Sequence, residues 1–452
     1  MATIIHDEDR AFRRYFWGIL TLLPGGVVAG IVARYFAIHS TDVLLVAPAA
    51  VGTIMAIKAV FDGVTDPLFG WLSDRRREPR RLPIFRWGAL GIFSVFGLFF
   101  PPEGLGGLGL VLWLILFVIL WETGQTMRSV SVVALGLEVA TNARRRTMLQ
   151  TVFAIPLFVG SILGILAMQY AMNAGDPKTV LWPMLLIGST IWAATVLAAS
   201  YLMKELPKPH RSEERPPWMM LREVIANRYH RHFIAIQLAE TLAFTSLGFA
   251  IPYVTKYVFD RPDMTMHVFI VFMASQMLAT WGWLQSVKRI GVRRSWLAGK
   301  YIWLLVLLSY PLAVMTGIYG FLALALFAGI GSGAGYCTAY ALLGDIADYD
   351  ARESGRQRQG VYATLYGLID KSGAALGAFL LGWALQLAGF VPNETQSAAV
   401  LTAIAITVSA IPAIGIGISI RLLHSYRFYE EQGVWDGRER TRDRLEGRAQ
   451  LA

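Results

Sequence analysis

Residues 43–77 read VLLVAPAAVGTIMAIKAVFDGVTDPLFGWLSDRRR, an apolar run of membrane-spanning length that carries Lys58, Asp62 and Asp66 inside it and leaves through Asp74 and an arginine cluster. About 20 apolar residues in a helix cross a bilayer. A Lys or Asp at the centre of such a helix costs about 2.5–3.5 kcal/mol on insertion scales. Lys58, Asp62 and Asp66 recur every fourth residue, so they form one polar stripe on one helix face. A stripe of this kind belongs to a membrane protein that encloses a polar interior.

The same ruler, carried outward, marks twelve expected spans at 15–38, 43–72, 87–101, 108–140, 148–172, 180–203, 232–258, 266–287, 296–315, 319–346, 360–390 and 398–421. Composition agrees, with 55% hydrophobic and only 16% charged residues, against about 25% charged in soluble domains. The mean hydropathy is +0.49. These values argue against a soluble enzyme. The net charge of +10 does not call for nucleic acid, because the basic residues lie between apolar runs rather than on a folded polar surface. A lone Cys337 leaves no disulfide framework and no Cys-based zinc site.

Cytoplasmic loops collect Lys and Arg. With both ends inside, 34 of the 41 basic residues fall in or beside cytoplasmic segments, Lys300 at the start of the ninth span among them. Only Lys178 and Arg261 fall outside, and Arg34, Lys58, Arg128, Lys256 and Lys371 lie within or beside the spans. Met1–Arg14 is therefore expected to be a cytoplasmic tail. The polar stretch 204–231 divides the chain into a six-helix half at 1–203 and another at 232–421, with a cytoplasmic tail at 422–452. Gly70-Trp71-Leu72 and Gly282-Trp283-Leu284, each leading into a basic loop after the second span of its half, echo one another. Two such halves around a site near the midplane is the plan of many secondary transporters.

Two carboxylates on one stripe, Asp62 and Asp66, can ligate a small hard cation or accept a proton. Pro67 cannot donate to the carbonyl of Gly63 and is expected to kink the helix beside them. The alternative is a Lys–Asp pair acting as interhelical glue, with a helix-capping Asp.

The run Asp62-Gly63-Val64-Thr65-Asp66-Pro67-Leu68-Phe69-Gly70-Trp71-Leu72-Ser73-Asp74-Arg75 resembles the second-span signature of the glycoside-pentoside-hexuronide:cation symporters, the melibiose permease family of the major facilitator superfamily. Gly344-Asp345-Ile346-Ala347-Asp348-Tyr349, Ser354 to Gly360, and Lys371-Ser372-Gly373 resemble that family's tenth loop and eleventh span. The resemblance implies an all-α fold of twelve transmembrane helices in two halves. It also implies a cation site at Asp62, Asp66 and Thr126, with Lys371 as the facing charge. The family's sugar-gripping acids do not carry over, since their places fall near Gly26 and at Ser129.

In that place span 4 carries Glu122, Gln125, Thr126 and Ser129 on one face, with Arg128 on its flank. Arg34 and Glu240 are candidates to join them, and Tyr336, Tyr340, Trp113 and Trp121 are candidate stacking platforms. A dry-cavity Arg holds a carboxylate, sulfonate or phosphate in bidentate fashion, which points to an acidic glycoside or hexuronide. An internal ion pair of Arg128 with Glu122 or Glu240 is the alternative. Asp74 with Arg75, and Asp345 and Asp348 with Arg356 and Arg358, are expected to form gating salt bridges at cytoplasmic helix ends. The glycines of 329–335 lie inside an apolar span with no preceding strand, so they read as helix packing rather than a nucleotide loop.

No ATP-binding loop of the GxxxxGK[ST] type is present, so transport would be driven by an ion gradient. The seven histidines lie at span ends, in loops or in tails, which argues against an embedded enzyme. The sequence thus points to a monomeric symporter of a sugar-like small molecule in a bacterial inner membrane, with Na+ or H+ as coupling ion, no cofactor and no other metal. A carrier of lysophospholipids or other anionic amphiphiles is the alternative within the same fold.

Overall fold

The computed structural model describes residues 2–75, 81–139, 143–172, 177–205, 217–354 and 359–432. Among the described residues all regular secondary structure is helical. The helices are α1 (Ala2–Leu20), α2 (Leu22–Asp42), α3 (Pro48–Arg75), α4 (Leu82–Trp87), α5 (Val95–Phe99), α6 (Gly107–Val139), α7 (Ala143–Met172), α8 (Pro177–Leu202) and α9 (Pro217–Ala226). They continue as α10 (Arg228–Tyr253), α11 (Thr265–Ile290), α12 (Val292–Leu308), α13 (Tyr310–Thr316), α14 (Ile318–Ser354), α15 (Gln359–Leu387), α16 (Ala398–Ala405), α17 (Ile411–Ser425) and α18 (Phe428–Gln432).

Ten of the described helical stretches are long and apolar enough to cross a membrane, or eleven when α12 and α13 count as one span bent by 48°. The expected span 148–172 lies within the continuous helix α7, which contains the apolar stretch Val159–Ala171. The expected span 87–101 is instead Leu82–Phe99, built from α4, a 3-10 turn at Leu90–Ser94 and α5. It starts earlier because Leu82, Ile84 and Phe85 are buried. The carboxylate of Glu205 caps that start, accepting from the backbone N–H groups of Arg81 at 2.8 Å and Leu82 at 2.7 Å, which satisfies two of a helix's four orphan donors.

The chain forms two compact units. Unit 1 comprises Met1–Pro217 with Phe390–Glu394, and unit 2 comprises Trp218–Gly389 with Thr395–Ala452. In unit 1, α2 packs on α7 and α3 on α6; in unit 2, α10 packs on α15 and α17, and α14 on α11 and α12.

Past Arg421 the chain does not leave the bundle at once. Helix α17 continues to Ser425, and Tyr426, Phe428 and Tyr429 are buried. Arg293 fastens this end by donating to the carbonyls of Leu423 and His424 and to Glu430.

Candidate functional site

Helices α3 and α6 carry two polar rungs, four residues apart on α6 (Glu122 and Thr126) and eight apart on α3 (Lys58 and Asp66), with Asp62 between them on α3. On the first rung the Lys58 ammonium lies 3.0 Å from Glu122 Oε1 and 3.4 Å from Asp62 Oδ2. On the second, Thr126 Oγ1 donates to Asp66 Oδ1 at 2.8 Å. Asp62 is fully buried, and Glu122 and Thr126 are nearly so. Helix α3 continues through Pro67 without a break.

The rungs bring together three carboxylates and one ammonium inside membrane-spanning helices. Among the described residues these acids do not gather into a three-ligand metal cluster, because Lys58 stands between two of them.

Arg128 is buried. It donates to the Gly88 carbonyl and, at 2.6 Å, to Gln125 Oε1, and its guanidinium stacks 4.4 Å from the centroid of the Trp192 ring. Such contacts combine charge-assisted hydrogen bonding with cation–π attraction. The close approach that brings Gly88 within reach depends on glycine, since a Cβ on Gly91 would stand 2.6 Å from the Cα of Gly124. Thus Glu122 is bridged by Lys58, while Arg128 faces a carbonyl, an amide and an indole. Ser129 donates weakly to the Thr126 carbonyl of its own helix at 3.4 Å.

Unit 2 holds a second buried charge pair. The carboxylate of Glu240 on α10 accepts from the Lys300 ammonium and, at 3.2 Å, from Trp296 Nε1, both on α12. Lys300 is only 2% exposed, with the rings of Trp296 and Trp303 at 5.5 and 5.7 Å. Sequence reading placed Lys300 at the cytoplasmic edge; its position four residues after Trp296 and three before Trp303, one helical face, was the missed signal. Glu240 therefore belongs to a pair within unit 2.

Lys371 lies on α15 of unit 2, half-buried, and Tyr336 is exposed. Trp113 donates to the Gly97 carbonyl, and Trp121 packs edge-on against Trp192. Asp345 accepts from the Tyr429 hydroxyl at 2.7 Å, so a phenol from the C-terminal segment holds the first expected gating acid. Asp348 is exposed, and its backbone carbonyl accepts from Arg352 at 3.3 Å. Arg356 and Arg358 lie outside the described residues, as do the side chains of Arg34, Asp74, Arg75 and Tyr340.

Comparison with known proteins extends this geometry. Residues 19–429 match the family described as MFS/sugar transport protein. The isoprimeverose transporter of Lactiplantibacillus pentosus is 22% identical, covering 94% of this chain and 91% of that one. A protein of Escherichia coli named as a candidate glycoside/cation symporter, YagG, is 25% identical over 83% of each chain. In fold, the chain is similar to the crystal structure of a bacterial homologue of the human lysosomal transporter Spinster, with a TM-score of 0.66 at 12% identity over 92% of this chain and 96% of that one.

Proposed function

Because this chain belongs to the MFS/sugar transport family, an integral multi-pass membrane protein of transporter type, we propose that it is a cation-coupled symporter of a glycoside working by alternating access. The carrying observation is the pair of rungs between α3 and α6, where three acids face one ammonium and a threonine hydroxyl. Clustered carboxylates in a low-dielectric interior favour uptake of a cation. Asp62, Asp66 and Thr126 offer the oxygen ligands that Na+ takes, or the carboxylates that H+ takes.

Lys58 plays the part of an internal counter-cation. It holds Asp62 while the site is empty and withdraws to Glu122, its nearer partner, when the coupling cation arrives. Lys371 of unit 2 is the further basic residue of this coupling scheme. The relatives' names favour glycosides over amphiphiles. The acidic-solute expectation needed an open guanidinium, whereas Arg128 is bound inward on Gly88, Gln125 and Trp192. The solute is therefore a glycoside without an acid group, carried across a bacterial cytoplasmic membrane.

The test is uptake into proteoliposomes of isoprimeverose and a methyl hexuronide, with and without inward Na+ or H+ gradients, for wild type and Asp66→Asn. Accumulation that needs a cation gradient and is lost in Asp66→Asn is expected. Accumulation that ignores both gradients and the substitution overturns the cation-site assignment. Preference for the hexuronide restores the acidic reading.

A further inference from the structure

Asp370, on α15 inside the span Leu365–Leu387, is an exposed acid in a membrane-crossing helix. Exposure to lipid would cost about 2.5–3.5 kcal/mol, and the helix itself argues against it. The large apolar residues that α15 exposes are Leu376, Trp383 and Leu387. At about 100° per residue they lie roughly 100–140° around the helix from Asp370. The acid therefore occupies a different face from the apolar stripe, the one that packs on α10.

That face is built. Gln237 Nε2 donates to Thr241 Oγ1 at 3.3 Å, and Thr241 Oγ1 donates to Asp370 Oδ1 at 3.0 Å. Gln237 Nε2 also reaches the Tyr366 hydroxyl, one turn before Asp370, at 3.3 Å. The helices touch here, since a Cβ on Gly373 would stand 2.8 Å from the Thr241 side chain. Thr241 lies thirteen residues, about 20 Å, into α10 from Arg228, which places the acid deep in the span. The donor chain runs amide to hydroxyl to carboxylate and terminates on Asp370. A carboxylate offers several acceptor lone pairs, and those beyond the Thr241 bond suit a ligand rich in O–H donors.

We propose that Asp370 is a solute-binding residue of unit 2 that accepts hydrogen bonds from the hydroxyls of a polyhydroxylated ligand, with Thr241 and Gln237 positioning it. This rests on the transport reading above and adds to it a second acid in unit 2, where the candidate Glu240 is paired with Lys300. A carboxylate presented beside the solute selects for hydroxyl donors and against a carboxylate on the same part of the ligand.

The experiment is equilibrium binding of isoprimeverose and of its monodeoxy analogues to the full chain in nanodiscs at saturating Na+ and at low and neutral pH. Wild type, Asp370→Asn and Thr241→Val are compared, with thermal unfolding as the folding control. Asp370→Asn is expected to weaken isoprimeverose by about tenfold or more, the worth of a hydrogen bond to a charged group. The deoxy analogue that wild type discriminates against should bind Asp370→Asn about as well as the parent sugar does. Thr241→Val should weaken binding less and keep the discrimination.

Wild-type affinity in Asp370→Asn, or unchanged discrimination among deoxy analogues, overturns the assignment while leaving cation-coupled transport standing. If Asp370→Asn does not fold, Asp370→Glu, which moves the carboxylate by one methylene, must alter the deoxy pattern, and failure to do so also overturns it. Absence of any sugar binding by wild type removes the transport reading and this inference together.

Discussion

The Lys58 ammonium stands 3.0 Å from Glu122 on the neighbouring helix and 3.4 Å from Asp62 on its own. The closer contact is the interhelical one, so Glu122 is a place for Lys58 to go when Asp62 is claimed by another cation. Glu122→Gln removes that place and leaves the ammonium to Asp62 alone. Coupling-cation affinity, titrated calorimetrically in nanodiscs, is expected to fall about tenfold, or about 1.4 kcal/mol. Lys58→Met removes the competitor and should bind the cation at least as tightly as wild type. Equal weakening by both substitutions would show that Lys58 only braces the helices.

Thr126 tests the second rung. Its hydroxyl donates to Asp66 at 2.8 Å and can turn its lone pairs to a bound cation. Thr126→Ser keeps the oxygen and should keep cation affinity within a few-fold. Thr126→Val keeps the shape and loses the oxygen, leaving Asp66 one donor short, at a cost of about 1–3 kcal/mol. Identical cation titrations for the two variants would remove Thr126 from the site.

Periodicity along one helix was legible, and pairing between helices was not. The spacing of Lys58, Asp62 and Asp66 fixes a shared face without any structure, because 3.6 residues per turn does so. That Glu122, rather than Arg128's neighbourhood, takes Lys58 depends on how α6 is rotated and shifted against α3, which hydropathy does not encode. The same limit explains Arg128, whose partners Gly88 and Trp192 lie on other helices. Lys300 is ambiguous in sequence because a basic residue near the end of an apolar run fits the positive-inside pattern whether its tip snorkels outward or turns in. Asp370 stands next to Lys371, the residue that the family resemblance picks out, and no spacing in α15 distinguishes it.

The buried pair of unit 2 predicts a stability effect distinct from any transport effect. Glu240→Gln strips the charge that Lys300 faces and leaves an ammonium at 2% exposure among Trp296 and Trp303. Breaking one side of a buried pair costs about 3–5 kcal/mol, whereas replacing both sides with apolar residues of similar size is often neutral. The detergent-solubilised single variant should unfold at clearly lower temperature, and Glu240→Leu combined with Lys300→Met should recover most of the loss. Recovery of stability without recovery of uptake would give the pair a role in transport; recovery of both would make it structural.

The bend between α12 and α13 supplies the last expectation. Pro311 has no N–H, so the carbonyl of Leu307 cannot receive its ordinary helical bond from four residues on. Ser409 supplies the replacement, donating from its hydroxyl to Leu307 O at 2.6 Å. It does so from the π turn Ile406–Ala410, whose extra residue per turn shifts the side chains that follow it. Ser409→Ala leaves the Leu307 carbonyl only the shared N–H of Ser309 within its own turn, at a cost of about 1–3 kcal/mol. Pro311→Ala restores the missing donor and allows α12 to run straight into α13, removing the need for the serine. Ser409→Ala should therefore lower the unfolding midpoint alone and cost little in the Pro311→Ala background, a coupling that a double-mutant cycle reads directly. Additive effects would mean that the 48° bend is set by packing rather than by this carbonyl.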